Sequence, residues 1–520
     1  MSDYTIPEWA KQYRVKNTEI KMIGGKPYLY EVKCQYSREE KKKHNITKYL
    51  GKLVEGKGLV KKNSTSTDIQ VTSNVEYGLT ATLSSLMSVE MEKLKKHFPN
   101  YWRTIWGMAY CRLMYTSPIK DMQQHIARSY LSVALESPHM SADYISKMIK
   151  EIGGERQCIA SYFREFAQNE DYVIFDGTDF ISKSGMRLPR LSKTKKGSFD
   201  TTINVMLVFS VDSNVPMYYR LARGNVKDIK VFLLCLEELN IKDVIIIVDK
   251  GFVSDEILSK LDNMGQMYIA PLHRDNKIID YSLTESEGLK SGGVAFQYHG
   301  RTIFAYRKKI DDEHAVDLFL DHTMRTKERS DLENRIYENL QKATTNQDQK
   351  LTWDSYNERL PKMGTIAIYT NINRLEDKLR RKAKASNQDV ENIEQLATPE
   401  YVYKTYKFRN SVEEQIDIFK NVVDADSSYM HDEECLDGWM FTNYVALQWY
   451  FRILNKLGTT KYDSTLSTTS CIDFMKDIRK VRIGNTWKSD PLSNKEEAMA
   501  KALGIIDEPS ELVFPKISGN

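Results

Sequence analysis

Residues Tyr172–Phe180 read YVIFDGTDF, and residues Lys242–Phe252 read KDVIIIVDKGF. In both stretches a short apolar run leads directly into an aspartate, Asp176 in the first and Asp249 in the second. Apolar runs of this length are typical of strands that are buried on both faces of a sheet. Helix-like stretches such as VSDEILSKLDNMG alternate with the strands, so this part of the chain is predicted to form a mixed α/β core.

The two aspartates are candidate metal ligands. Carboxylates at the ends of core strands lie at one edge of a sheet, where α/β proteins place their sites. Two divalent cations about 3.5–4 Å apart can activate a water or hydroxyl nucleophile and stabilise the leaving oxygen in phosphoryl transfer. Mg²⁺ favours hard oxygen ligands of this kind. Either aspartate alone could equally be a turn or helix-capping residue.

A third carboxylate comes from Tyr401–Asn421, which reads YVYKTYKFRNSVEEQIDIFKN. The stretch predicts one helix with an apolar stripe made of Phe408, Val412, Ile416 and Phe419. On that helix an adjacent arc of about 60° carries four polar residues. They are Tyr406, Arg409, Glu413 and Lys420. An ordinary amphipathic helix with a solvated charged edge would show the same pattern. Glu414 points about 100° off this arc, which favours Glu413 as the functional acid.

Composition indicates a soluble globular protein. The 520 residues are 41% hydrophobic and 28% charged, a length that suggests about two to four domains. A net charge of +4 is weak, so binding to nucleic acid would have to rest on local clusters. The six scattered cysteines form no CxxC pair, which argues against a zinc module or a disulfide framework and fits a reducing cytosol. We expect no signal peptide and no membrane-spanning segment.

The order of patterns divides the chain into six predicted regions. They are a β-rich N-terminal arm (1–75), a helical DNA-binding domain (76–168), the first part of the core (169–272), a β-rich insertion domain (273–400), the second part of the core with the Glu413 helix (401–460), and a C-terminal region (461–520).

A basic segment follows the first acidic strand. Its cationic residues are Lys183, Arg187, Arg190, Lys193, Lys195 and Lys196. One interpretation is a clamp on the DNA backbone, whose binding would weaken as salt rises. The other is a solvated hairpin.

In this order, the motifs resemble those of bacterial insertion-sequence transposases with a ribonuclease H-like core. Asp176, Asp249 and Glu413 resemble their Asp-Asp-Glu (DDE) triad. The spacing Tyr406-x2-Arg409-x3-Glu413-x6-Lys420 is similar to the Tyr-Arg-Glu-Lys signature of the branch with a β-rich insertion before the catalytic Glu. The resemblance extends from about residue 27 to residue 460.

The resemblance implies a transposase that binds terminal inverted repeats and catalyses Mg²⁺-dependent cleavage and strand transfer, with a hairpin intermediate as one excision route. Asp176, Asp249 and Glu413 would hold two Mg²⁺ ions, for which Mn²⁺ could substitute. Tyr406, Arg409 and Lys420 would contact DNA near the cleavage point.

The implied partners are double-stranded DNA, as transposon ends and target, and a second copy of the chain in a paired-end dimer. The implied location is the prokaryotic cytoplasm, at the nucleoid, with no membrane contact. Two alternatives remain open: a catalytically idle, transposase-derived DNA-binding protein, and a related metal-dependent DNA nuclease.

Overall fold

The computed structural model describes residues 5–37, 42–60, 71–167, 172–182, 184–193, 199–224, 228–285, 293–342, 353–388, 393–410, 418 and 430–505. The chain divides into two compact units. The first comprises Met1–Ser73 with Arg482–Thr486, and the second comprises Asn74–Val481 with Trp487–Asn520.

The first unit is β-rich, as its alternating sequence predicts. After the short helix α1 (Glu8–Lys11), its strands are β1 (Thr18–Ile23), β2 (Lys26–Ser37), β3 (Lys42–Val54) and β4 (Gly58–Val60). They form an antiparallel sheet in the order β1-β2-β3-β4. Ala10, Ile20, Leu29 and Leu53 form its small core.

The predicted helices of residues 76–168 are present. They are α2 (Gly78–Leu86), α3 (Ser88–His97), α4 (Trp102–Tyr115), α5 (Ile119–Ala127), α6 (Leu131–Ala134), α7 (Ala142–Gly154) and α8 (Arg156–Ala167). They share one hydrophobic core with α16 (Glu433–Gly458). Trp106 of α4 packs on Trp449 of α16, with ring centroids 4.4 Å apart.

Helices α7 and α16 approach each other closely at two glycines. A methyl group added to Gly153 would lie less than 3.0 Å from the carbonyl oxygen of Glu434, and one added to Gly438 would lie equally close to that of Ile149. The backbones of the two helices therefore pack directly against each other, with no room for side chains at the crossing.

Glu76, before α2, is a buried carboxyl surrounded by donors. It accepts hydrogen bonds from the Leu79 amide at 2.6 Å, the Thr80 hydroxyl at 2.9 Å and the Tyr110 hydroxyl at 2.6 Å. Burial raises its pKa from 4.5 to about 7, although the hydrogen bonds act in the opposite direction.

We expect Glu76→Gln to remove a pH dependence from folding stability. Because the native state favours the protonated carboxyl, its stabilising contribution is complete below pH 4.5 and is lost as pH rises to about 7. The free energy of unfolding of the wild type, relative to that of the variant, should fall by about 2–3 kcal/mol over this window. Urea unfolding at either end of the window measures the difference. If the difference in unfolding free energy between the wild type and the variant were the same at both pH values, the carboxyl of Glu76 would not have a raised pKa.

The central sheet contains the two strands predicted to lead into the aspartates, which are β6 (Tyr172–Ile181) and β10 (Ile245–Ile247). Its other strands in this part of the chain are β7 (Arg190–Lys193), β8 (Phe199–Ser210), β9 (Val215–Arg223) and β11 (Met267–Pro271). Strands β8 and β9 are antiparallel additions beside β6, whereas β10 and β11 continue parallel to β6 on its other side. Helices α9 (Asp228–Leu239) and α10 (Asp255–Asn263) form the connections into β10 and β11.

Residues 273–398 extend this same sheet. Their strands are β12 (Val294–Tyr298), β13 (Arg301–Lys309), β14 (Ala315–Asp321) and β15 (Thr365–Thr370). Strand β15 pairs with β11 on one side and β14 on the other, and the order continues through β13 to β12. The helices here are α11 (Ser282–Glu285), α12 (His322–Lys342), α13 (Trp353–Arg359) and α14 (Ile372–Ala385). The strands of residues 273–398 are thus hydrogen-bonded to the sheet that carries the aspartates.

The single helix predicted for Tyr401–Asn421 is wrong in the part that the structure describes. Helix α15 spans Pro399–Lys407, Phe408 forms a turn, and helical structure resumes at Arg409. Phe408, predicted to lie in a packed apolar stripe, is 45% exposed. The helical period could not detect this interruption, because Phe408 itself keeps right-handed helical dihedrals.

The remaining elements lie beyond α16. They are α17 (Thr468–Asp477), β16 (Arg479–Ile483), β17 (Thr486–Ser489) and α18 (Asn494–Leu503), and β16 pairs with β17 and with β5 (Val71–Glu76). None of the helices in the described ranges combines the length and apolarity needed to cross a membrane.

Candidate active site

Asp176 and Asp249 occupy matching positions on neighbouring parallel strands. The register pairs Ile245 with Tyr172 and Ile247 with Ile174, an offset of 73 residues, and Asp249 follows Asp176 by the same 73 residues. Asp249 lies two residues beyond the last paired residue, and its backbone is still extended, with φ −73° and ψ 148°. Since adjacent strands run about 4.8 Å apart, the register brings the two carboxylates side by side on one face of the sheet. The prediction that a strand ends at Asp176 is wrong, because pairing with β8 carries β6 past the end of β10 as far as Ile181.

The two faces of β6 differ in their covering. Phe175 packs against Phe232 of α9, with ring centroids 4.7 Å apart. Tyr172, on the opposite face by strand alternation, shares a hydrogen bond of 2.6 Å with the hydroxyl of Tyr401 in α15. Asp176 has the same parity as Tyr172 and is only 8% exposed. It therefore lies on the face that α15 covers.

Helix α15 has clear local signals. Its N-cap is Thr398, whose hydroxyl accepts a hydrogen bond from the Tyr401 amide at 3.2 Å, and Pro399 follows at the first position. One turn later, Tyr403 packs on Phe296 and Phe319, at centroid distances of 5.4 and 4.9 Å. These contacts fix the helix against strands β12 and β14.

The segment that precedes α15 is held from two sides. Arg307 forms a bidentate ion pair with buried Asp317, in which both nitrogen–oxygen distances are 2.6 Å. The same guanidinium group also donates a hydrogen bond of 2.6 Å to the carbonyl oxygen of Ala397. Glu376 of α14 accepts hydrogen bonds from the amides of Leu396 and Ala397, the latter at 2.7 Å. Charged side chains thus fix both the carbonyl and the amides where α15 begins. This anchor could not be predicted from the sequence, because its partners lie 20 to 90 residues apart along the chain.

Arg409 reaches the aspartate pair. Its Nε lies 2.9 Å from Asp249 Oδ1. Burial acts to lower the pKa of Arg409, but the charges of Asp249 and Asp176 and the contact with Tyr406 outweigh burial and raise it. Tyr406 is 9% exposed. Of the predicted site residues, the structure therefore brings together Asp176, Asp249, Tyr406 and Arg409.

The other predicted site residues are not gathered in the described structure. Glu413, Lys420, Lys183, Lys195 and Lys196 lie outside the described residues. Arg187 is exposed, and Arg190 donates to the carbonyl oxygen of Pro189 at 2.8 Å. Lys193 belongs to β7.

The two aspartates fit a divalent metal ion in donor type, since both present carboxylate oxygens on one face of the sheet. In this structure the positive charge that faces Asp249 is that of Arg409. Within the described ranges, no three His, Cys, Asp or Glu residues form a group that could hold a metal. A third ligand would have to come from elsewhere in the chain, and the predicted one is Glu413.

Residues 170–449 match the family model of the transposase DDE domain. Because this match covers more than half of the 520 residues, the chain belongs to the DDE transposase family. Transposases act on DNA, and this family generally uses divalent metal ions.

No curated protein matches the sequence significantly. Among solved structures, the cryo-EM structure of the piggyBac transposase synaptic complex with hairpin DNA aligns with 77% of this chain and 80% of its own, at 8% identity and a TM-score of 0.37. At this level the likeness adds nothing to the family assignment.

Proposed function

We propose that the protein is an insertion-sequence transposase that binds terminal inverted repeats, cleaves DNA at them and joins the ends to target DNA. The observation that carries the proposal is the pair Asp176 and Asp249 at matching register, with Arg409 bound to one of them. Two carboxylates and a cation that meet on one face of a sheet suit chemistry on a phosphodiester.

The order of strands supports a ribonuclease H-like core. Strands β6, β8 and β9 follow one another as antiparallel neighbours, and β10 and β11 lie parallel to β6 on its other side. Residues 273–400 would then be the β-rich insertion of the branch with the Tyr-Arg-Glu-Lys signature. The boundaries of the six regions that the sequence analysis predicts stay predictions.

In the proposed site Asp176, Asp249 and Glu413 hold two Mg²⁺ ions, for which Mn²⁺ can substitute. When bound, such ions activate the attacking water or hydroxyl and stabilise the leaving oxygen. Arg409 pairs with Asp249 in the free protein, and its guanidinium would contact a phosphate when DNA binds. Tyr406 and Lys420 would contact neighbouring phosphates.

The remaining parts of the proposal concern partners. Two copies of the chain would hold two transposon ends in a paired-end complex at the nucleoid of a prokaryotic cell. The basic segment Lys183–Lys196 would clamp the DNA backbone. Excision through a DNA hairpin is one route that this chemistry allows.

The test is to incubate the full chain with duplexes that carry the inverted repeats bordering its gene, with Mg²⁺ and a target plasmid. We expect nicks at the repeat ends and covalent joining of the new 3′-OH to the plasmid, both abolished by chelation of the metal. Cleavage without joining would favour the related nuclease. Specific binding with no cleavage in Mg²⁺ or Mn²⁺ would favour the catalytically idle DNA-binding protein.

A further inference from the structure

Lys407, the last residue of α15, is a half-buried lysine beside the candidate site. Its Nζ lies 5.2 Å from the centroid of the Tyr403 ring, one turn earlier. Among the described residues, none places a carboxylate oxygen within 4.0 Å of this Nζ or accepts a hydrogen bond from it. By contrast, Lys404 on the same helix forms an ion pair with Glu400 at 2.6 Å.

The surroundings of Lys407 are rich in positive charge. Burial is the main cause that lowers its pKa, and Arg301 and Arg409 lower it further by repulsion. Asp321 is the acid that acts in the other direction, but its carboxylate already pairs with Arg301 at 2.7 Å. Among the described residues, the acid that acts on Lys407 is therefore already paired with another cation.

A half-buried ammonium group without an anionic partner is unfavourable for folding, because it loses hydration and gains no ion pair. The cation–π contact with Tyr403 offsets only part of this loss. A charge that destabilises the free protein in this way is expected where a ligand later supplies its partner.

The position of Lys407 indicates which ligand that is. Tyr403 packs on strands β12 and β14, while Arg409, two residues after Lys407, contacts Asp249. Lys407 thus lies between the strands of residues 273–398 and the aspartate pair. A nucleic-acid strand bound at the aspartates and running toward those strands would pass this lysine.

We propose that Lys407 contacts a backbone phosphate of the DNA strand held at the Asp176–Asp249 edge, on the side of strands β12–β14. This inference rests on the proposed function. A lysine is a point charge on a flexible stem, so it suits a phosphate oxygen and does not read sequence. Lys407 would therefore strengthen binding of every DNA sequence to a similar degree.

The experiment compares Lys407→Met, which keeps the apolar stem but removes the charge, with Lys407→Arg, which keeps the charge. Lys404→Met on the same helix is the matched control. Fluorescence anisotropy with an inverted-repeat duplex, over a series of salt concentrations, gives the Kd and its salt dependence for each full-length protein.

We expect Lys407→Met to weaken binding about three- to tenfold and to reduce the slope of log K against log salt by about 1. Lys407→Arg should restore most of both values, and Lys404→Met should match the wild type. In addition, Lys407→Met should unfold at or above the wild-type temperature, because it removes an unpaired charge.

If Lys407→Met lowers the unfolding temperature and leaves the salt slope unchanged, the lysine is structural and the inference is overturned. The proposed function survives that result, provided that the wild type binds and cuts the repeat. If the wild type neither prefers the repeat over an unrelated duplex nor cuts it, the proposed function itself fails.

Discussion

Asp176→Asn should reduce DNA strand cleavage by about 10³-fold or more while leaving DNA binding intact. The amide keeps the shape of the side chain but removes the negative charge that would hold a divalent ion, so the loss should fall on the chemical step. Affinity for the DNA end should stay equal or rise, because one carboxylate facing the phosphates is gone. Single-turnover cleavage and anisotropy measured on the same preparation separate the two effects.

Asp179→Asn is the matched control for this change. Asp179 lies on the same strand three residues later, and strand alternation places it on the other face of β6. It should cleave at close to the wild-type rate. The proposed site would be wrong if Asp176→Asn cut normally, or if both variants lost activity together with thermal stability.

Gly438→Ala should destabilise the larger unit by more than about 4 kcal/mol. The added methyl group would lie within 3.0 Å of the backbone carbonyl oxygen of Ile149, and a backbone cannot rotate away as a flexible side chain can. Helices α7 and α16 would have to separate, which would also disturb the core they share with α4. Thermal unfolding followed by circular dichroism should show a fall of several degrees or loss of soluble protein.

Gly154→Ala provides the comparison, because Gly154 is also in α7, is exposed, and has no atom within 4 Å of an added methyl group. This variant should be as stable as the wild type or up to about 1 kcal/mol more stable, since alanine favours the helix. Equal unfolding temperatures for the two variants would contradict the close approach of the helices.

The end of β10 could be read from the sequence for a physical reason, whereas β6 continues through Asp176 to Ile181. A run such as Ile245–Val248 is apolar on both faces, which suits an interior strand, and the polar residue that follows marks where the strand leaves the core. The 73-residue separation of Asp176 and Asp249 shows that they are neighbours only when the pairing register of β6 and β10 is known. That register depends on the lengths of the connections between the strands. The family match supports the class of protein, whereas the roles of individual residues stay predictions.

Other features could not be read in advance. A period of 3.6 residues tells which side chains share a face, but it does not detect a turn such as that at Phe408, where the dihedral angles stay helical. The anchor of Ala397 needs Arg307 and Glu376, which come together only in the folded sheet. Lys407 lies between Tyr406 and Arg409 of the signature. That no described residue pairs with it depends on the folded structure around it and could not be read from the sequence.

The pairing of β15 with both β11 and β14 has a consequence for how this chain can be re-engineered. A segment attached through a flexible linker can be exchanged as a module, but one hydrogen-bonded into a sheet cannot. Cutting out residues 273–398 would leave β11 as a bare edge strand, open to pairing with other chains. A chimera that transplants this segment should therefore include β11, because the backbone of β11 forms the hydrogen bonds that join the segment to the rest of the sheet.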